Sequence, residues 1–219
     1  MELFYCKSPL PNFGDDMNAW FWDEIFPEFR TLAPGRTMFG IGSILWRSNV
    51  EMFDDIVVMG SGTGVGILPD RFPEATLFQF VQGPRTARQF GLPADRGISD
   101  PACCTPLLRE MEPPSGPHGD AIFVPHAGTG TLPLGWDRIA AGAGLRHVSP
   151  SGDSRAVIRE IAGSRLVVTE SMHGAILADA YRVPWVAVAI KPNFTSFKWL
   201  DWADSVEIED LRIHSILDG

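Results

Sequence analysis

The chain has 219 residues, of which 45% are hydrophobic and 11% aromatic, and a formal net charge of −9. That length suits one large α/β domain or two small ones, and that composition describes a packed globular chain rather than a disordered one. The negative charge argues against a nucleic-acid partner, because phosphate backbones select basic surfaces; a small anionic ligand needs only local positive charge.

The chain opens with a short apolar strand at residues 2–5, followed by a Pro-, Asn-, Gly- and Asp-rich loop over 8–16. Residues 17–25 have helical spacing, with Met17, Trp20, Phe21 and Ile25 on one face and Asp15 or Asp16 as the cap. The continuous apolar run DIVVM at 55–59 reads as a strand buried on both faces, and it leads into the glycine-rich turn 60–64. Residues 77–81 predict another strand, and 86–90 a short helix closed by Gly91. The stretch 112–119 (EPPSGPHG) is the best linker. A second series follows: a strand at 121–124 ending in Pro125-His126, a helix at 136–142, a strand at 147–149 and a helix at 154–161. It ends in a strand at 165–169, a turn at 170–174, a helix at 175–181 and a strand at 185–190. Strands alternating with helices predict parallel sheets. The expected fold is α/β, with two Rossmann-like halves, residues 1–112 and 120–219, and a cleft at their strand ends.

The three cysteines include no CxxC pair, which fits small hydrophobes in a reducing compartment. The N-terminus has no signal-peptide pattern, and the most apolar stretch, 175–190, is interrupted by Asp179, Arg182 and Pro184, so no membrane span is expected. No His, Cys or Asp cluster has metal-ligand spacing, and no metal or cofactor is expected.

His173 is the leading chemical candidate, because it falls between a strand's carboxyl end and a helix start, where α/β folds bind ligands and where anions are favoured. An imidazole there suits acid–base work; otherwise it packs or caps the helix. Glu170 orients that imidazole or serves as partner base, or else simply complements the helix dipole, and Ser171 contacts the ligand or caps the helix. In the first loop Asn12, Gly14 and Asp15 offer a hydroxyl-binding or proton-accepting carboxylate, against a plain capped turn. Gly60, Ser61 and Gly62 offer backbone N–H groups to an anion or form a flexible turn; the segment is neither a P-loop nor a dinucleotide fingerprint. Arg85 and Lys198 are cationic candidates, with Lys191 as a further phosphate partner, and His126 ends a strand facing the expected cleft. Trp20, Trp22, Trp199 and Trp202 suit sugar stacking or, more commonly, a core. His118, His147 and His214 have no motif around them.

An ordered set of short motifs then carries a resemblance: NFGDDMN at 12–18, GIGS at 40–43, GSG at 60–62, GPRTA at 83–87, SDPA at 99–102, VPH at 124–126, MHGAI at 172–176, VPW at 183–185 and KWLDW at 198–202. Together they resemble the polysaccharide pyruvyl transferases, in particular the bacterial exopolysaccharide branch. The resemblance implies a GT-B-like fold and transfer of a pyruvyl group from phosphoenolpyruvate to a sugar of an exopolysaccharide or surface-glycan precursor. It implies a ketal product, His173 as the acid–base group, and a saccharide acceptor that is often lipid-linked, at the cytoplasmic face of the inner membrane. Gln82 and Ser171 stand where relatives carry arginine. Those departures keep two alternatives in view, a GT-B glycosyltransferase using a nucleotide-sugar and a non-catalytic saccharide-binding relative.

Overall fold

The computed structural model describes residues 1–64, 66–115, 119–192 and 194–215. Two compact units divide the chain. The first comprises Met1–Cys6, Asn18–Pro101 and Thr195–Leu211; the second comprises Lys7–Met17, Ala102–Phe194 and Arg212–Gly219. The expected linker includes His118, which lies outside the described residues.

In chain order the elements are β1 (Glu2–Phe4), α1 (Phe13–Asp16), α2 (Asn18–Ile25), α3 (Phe29–Leu32), β2 (Thr37–Phe39), α4 (Arg47–Val50), β3 (Ile56–Met59), β4 (Leu77–Phe80) and α5 (Pro84–Gln89). There follow β5 (Ala121–Val124), α6 (Ala127–Gly130), α7 (Trp136–Gly142), β6 (Arg146–His147), α8 (Ser154–Ala162), β7 (Leu166–Thr169), α9 (Met172–Ala180), β8 (Trp185–Ala189), α10 (Ser196–Ser205) and β9 (Ile213–Ser215). Among the described residues no helix is long and apolar enough to cross a membrane.

The first unit holds a four-stranded parallel sheet in the order β1-β2-β3-β4. β3 is the apolar run expected to be buried on both faces, and Ile56, Val57 and Val58 are all buried. The edge strand β4 instead alternates between exposed and half-buried positions. Phe39, Ile44, Leu45, Val58 and Val81 form the core beneath, with the rings of Phe4, Phe53, Phe72 and Phe78 packed against it. Trp199 and Trp202 of α10 are buried, as is Trp22, whereas Trp20 is half-buried.

The second unit holds a five-stranded parallel sheet in the order β6-β5-β7-β8-β9. β5 connects onward to β6 on one side, and β7 connects onward to β8 on the other. The order therefore reverses between β5 and β7, and their carboxyl ends form a topological switch point, the preferred ligand position in open α/β sheets. Buried α9 and the apolar face of α8, with Val157, Ile158 and Ile161 buried, belong to this unit's core.

Several local expectations change. The stretch read as loop over 8–16 contains α1, whose cap is Asn12, with its side chain accepting from the Gly14 N–H; Asp15 and Asp16 lie inside α1. The following helix begins at Asn18 and buries Asn18, Phe21 and Trp22, so its inward face is turned from the one expected. α9 starts at Met172, three residues earlier than expected, so His173 lies in the helix's first turn rather than in a turn ahead of it. β9 has no strong apolar signal; its three residues pair with β8.

Candidate active site

The site is built at the switch point of the second unit. β7 ends at Thr169, and the chain turns through Glu170 and Ser171 into α9. The Thr169 hydroxyl lies 2.9 Å from the Val124 carbonyl and accepts from the Ser171 N–H at 2.9 Å, pinning the turn to the end of β5. Gly174 is required here by close approach: a Cβ on it would fall 2.4 Å from Thr169 Oγ1. These contacts bring the first turn of α9 against the strand ends and fix the backbone that carries His173.

His173 is 7% exposed. The backbone of Gly14 lies directly against its ring, since a Cβ on Gly14 would sit 2.0 Å from His173 Nδ1 and 2.4 Å from its Cγ. The loop bearing Gly14 is held in turn. The Phe13 N–H donates to the Pro150 carbonyl at 3.0 Å, the Ser151 hydroxyl donates to the Pro11 carbonyl at 3.0 Å, and the Phe13 side chain is fully buried. Within the loop, Asn12 Nδ2 donates to Asp15 Oδ2 at 2.7 Å, and the Asn12 N–H donates to Asp16 Oδ2 at 2.9 Å. The structure thus unites His173, Asn12, Gly14 and Asp15, which lie at opposite ends of the sequence. Asp15 arrives with its orientation fixed by Asn12.

Glu170 is buried, and its carboxylate takes three backbone N–H groups. Oε2 accepts from His126 at 3.2 Å, and Oε1 accepts from Ile190 at 3.0 Å and Lys191 at 3.2 Å. It therefore ties together the chain leaving β5, β7 and β8. His126 caps α6, with Nδ1 accepting from the Gly128 N–H at 3.2 Å, so the neutral ring carries its proton on Nε2. Ser171 is the N-cap residue of α9 by position, without a side-chain capping hydrogen bond, and is buried.

Lys191 also belongs to the second unit; Gly60, Ser61, Gly62, Arg85 and Lys198 belong to the first. The Gly60 N–H donates to the Phe80 carbonyl and the Gly62 N–H to the Gly42 carbonyl, while the Ser61 hydroxyl donates to the Gly40 carbonyl. These groups hold the end of β3. Gly62 is needed because a Cβ there would meet Gln82 Oε1 at 2.2 Å. Gln82 is buried, donating from Nε2 to Asp100 Oδ2 at 2.7 Å. Arg85 pairs with Asp204 at 2.7 Å, and Lys198 on α10 packs beside Gly64. Two motif residues with no role assigned from the sequence explain their motifs. Asn18 binds the Ile41 backbone in both directions, at 2.8 and 3.0 Å. Asp201, fully buried, caps α5 by accepting from the Arg85 and Thr86 N–H groups at 2.7 and 3.0 Å and from the Thr86 hydroxyl at 2.5 Å. Burial pushes the Asp201 carboxyl above its usual range, against the lowering effect of those hydrogen bonds.

Two parallel sheets, one with a switch point carrying a buried histidine at a helix start, define a Rossmann-like α/β protein. Comparison with known proteins finds two similarities. The model of the family described as polysaccharide pyruvyl transferase matches residues 116–192, the segment containing β5 to β8. The chain is 41% identical over 209 residues to the succinoglycan biosynthesis protein ExoV of Rhizobium meliloti (strain 1021), a match covering 95% of this chain and 66% of that protein. The chain is thus similar to the polysaccharide pyruvyl transferase family, and it spans just under two thirds of the length of the curated relative it matches. No solved structure matches it.

Proposed function

We propose that this protein transfers a pyruvyl group from phosphoenolpyruvate to a sugar of an exopolysaccharide or surface-glycan precursor. The family supports transfer to a polysaccharide, and the relative's name places that protein in succinoglycan biosynthesis. The observation that carries the chemical reading is His173 at the switch point, with the Asn12–Asp15 loop packed on its ring.

The reaction adds two sugar hydroxyls across the donor. Protonation of the enol methylene by the His173 imidazolium leaves a cationic carbon. One hydroxyl attacks that carbon, the second displaces phosphate, and a ketal closes. One hydroxyl proton ends on the new methyl group and the other leaves with phosphate, so no external acid or oxidant is needed. In this reading Asp15 accepts a hydroxyl proton, which its hydrogen bond from Asn12 supports by fixing the carboxylate's orientation. In this reading the acceptor saccharide is lipid-linked, the protein works at the cytoplasmic face of the inner membrane, and no cofactor takes part.

The test is phosphate release by the purified chain with phosphoenolpyruvate and ketal-free saccharide fragments, with the ketal methyl group read by NMR. Release that requires both substrates and is abolished in His173→Gln is expected. Turnover with a nucleotide-sugar instead of phosphoenolpyruvate, or undiminished release by His173→Gln, refutes the proposal.

A further inference from the structure

Two adjacent thiols have no part in the reaction scheme above. Cys103 and Cys104 lie in the 3₁₀-helix Pro101–Leu107 and belong to the second unit. Consecutive side chains in such a helix point about 120° apart, because a turn takes three residues. The two sulfurs nevertheless approach to 3.9 Å, where one thiol is a weak donor to the other. The residues on either side hold the backbone. Pro101, Ala102 and Thr105 are buried, the Thr105 hydroxyl donates to the Ala102 carbonyl at 2.7 Å, and the Leu108 N–H donates to the Thr105 carbonyl at 3.1 Å. Between these anchors Cys103 and Cys104 are only half-buried, so a small reagent can reach their sulfurs. Cys6 is placed differently, packed against the phenylalanine-rich core of the first unit.

We infer that Cys103 and Cys104 form a reversible modification site, which a hydroperoxide converts to a vicinal disulfide. One thiolate attacks the peroxide, the O–O bond breaks, and a sulfenic acid forms while the alkoxide takes up the thiol's proton and leaves as an alcohol. The neighbouring thiolate then attacks that sulfur. The S–S bond forms, the S–O bond breaks, and hydroxide leaves as water with the second thiol's proton. Two thiols and one hydroperoxide give one disulfide, one alcohol and one water, and the peroxide takes both electrons. The 3.9 Å approach places the second sulfur beside the first before oxidation begins. Adjacent Cα atoms are about 3.8 Å apart, below the range of about 4.4–6.8 Å usual for disulfides, so the closed bond is strained and readily reduced. That marks it as a switchable bond rather than a structural one. The inference is independent of the pyruvyl-transfer reading.

Intact-mass and peptide analysis of the full chain after treatment with one equivalent of hydrogen peroxide tests the site. The expected product has lost two hydrogens, carries the link inside the single peptide that contains both cysteines, and shows one thiol where the reduced chain shows three. Dithiothreitol should restore all three. Cys103→Ser and Cys104→Ser should each gain one oxygen instead, as a sulfenic acid trapped by dimedone, with no loss of hydrogens. A second measurement needs no variant: phenylarsine oxide, which bridges paired thiols, should bind the reduced parent one to one and protect both cysteines from alkylation. Peroxide that leaves both thiols intact, joins separate chains, or still removes two hydrogens from Cys104→Ser overturns the site. So does a parent that ignores phenylarsine oxide.

Discussion

Gly14→Ala tests the contact on which the site depends, because two physical effects give opposite signs. Gly14 lies inside α1, where alanine is the better residue by about 1 kcal/mol on propensity alone. Were α1 merely a short helix, the variant would be slightly more stable. The new Cβ, however, would stand 2.0 Å from His173 Nδ1, 2.4 Å from Cγ and 2.7 Å from Cβ. Ordinary contact begins near 3.5 Å, so ring and loop must separate by about 1.5 Å. The loop cannot yield cheaply, being held by the Pro150 carbonyl, the Ser151 hydroxyl and the buried Phe13 ring. Overpacking of this kind costs about 1–3 kcal/mol, which outweighs the propensity gain. Displacing the imidazole by that much should also lower turnover by about 10²-fold. Urea denaturation and phosphate-release kinetics measure the two effects. The double variant Gly14→Ala/His173→Ala isolates the clash, since removing the ring makes room and should recover about 1–2 kcal/mol of the loss. A Gly14→Ala protein at least as stable as the parent, with unaltered kinetics, would refute the reasoning.

Glu170→Gln leaves one accepting oxygen where two served three N–H groups; a loss of about 2–3 kcal/mol by denaturation is expected, and a silent variant would remove Glu170 as the tie. Asp201→Ala strips α5 of its cap and should cost about 2–4 kcal/mol, whereas Asp201→Asn keeps Oδ1 for both N–H groups and can donate to the Thr86 hydroxyl, so it should cost much less. Because burial raises the Asp201 carboxyl, the folded state holds its proton longer than the unfolded one. This contribution is fully present below the ordinary value of 3.8 and lost as pH rises through the raised value; Asp201→Asn should flatten that part of the stability profile. Tyr181→Phe removes the hydrogen bond to the Met111 carbonyl at 2.6 Å and should cost about 1 kcal/mol with turnover unchanged; altered turnover would show that this remote bond reaches the site.

The parts legible in the sequence are those set by local periodicity. β3 and β5 are continuous apolar runs, and α7 and α8 follow the helical period, so their positions follow from residues in contact with their own neighbours. What escaped depends on long-range partners. The loop that contains α1 is held by the Pro150 carbonyl and the Ser151 hydroxyl, partners far away in the sequence that local spacing does not encode. The grouping of Lys7–Met17 with the unit that contains α9 has no local signal, since the segment is too short to carry a core of its own. The glycines carried a signal of a different kind. Gly14, Gly62 and Gly174 lie where a Cβ would collide with the buried polar side chains of His173, Gln82 and Thr169, and each belongs to one of the short motifs. In Gly60–Gly62 the glycines accommodate Gln82 and Pro101, and the N–H groups of Gly60 and Gly62 go to carbonyls. A glycine-rich turn after a buried strand thus has two physical readings, close approach of a ligand or close approach of the protein's own side chains, and only the partners of its N–H groups separate them. Applied to the other sheet, the same criterion makes Glu170 a framework acid, because the N–H groups of His126, Ile190 and Lys191 all go to its buried carboxylate, which leaves it engaged in holding the strand ends together.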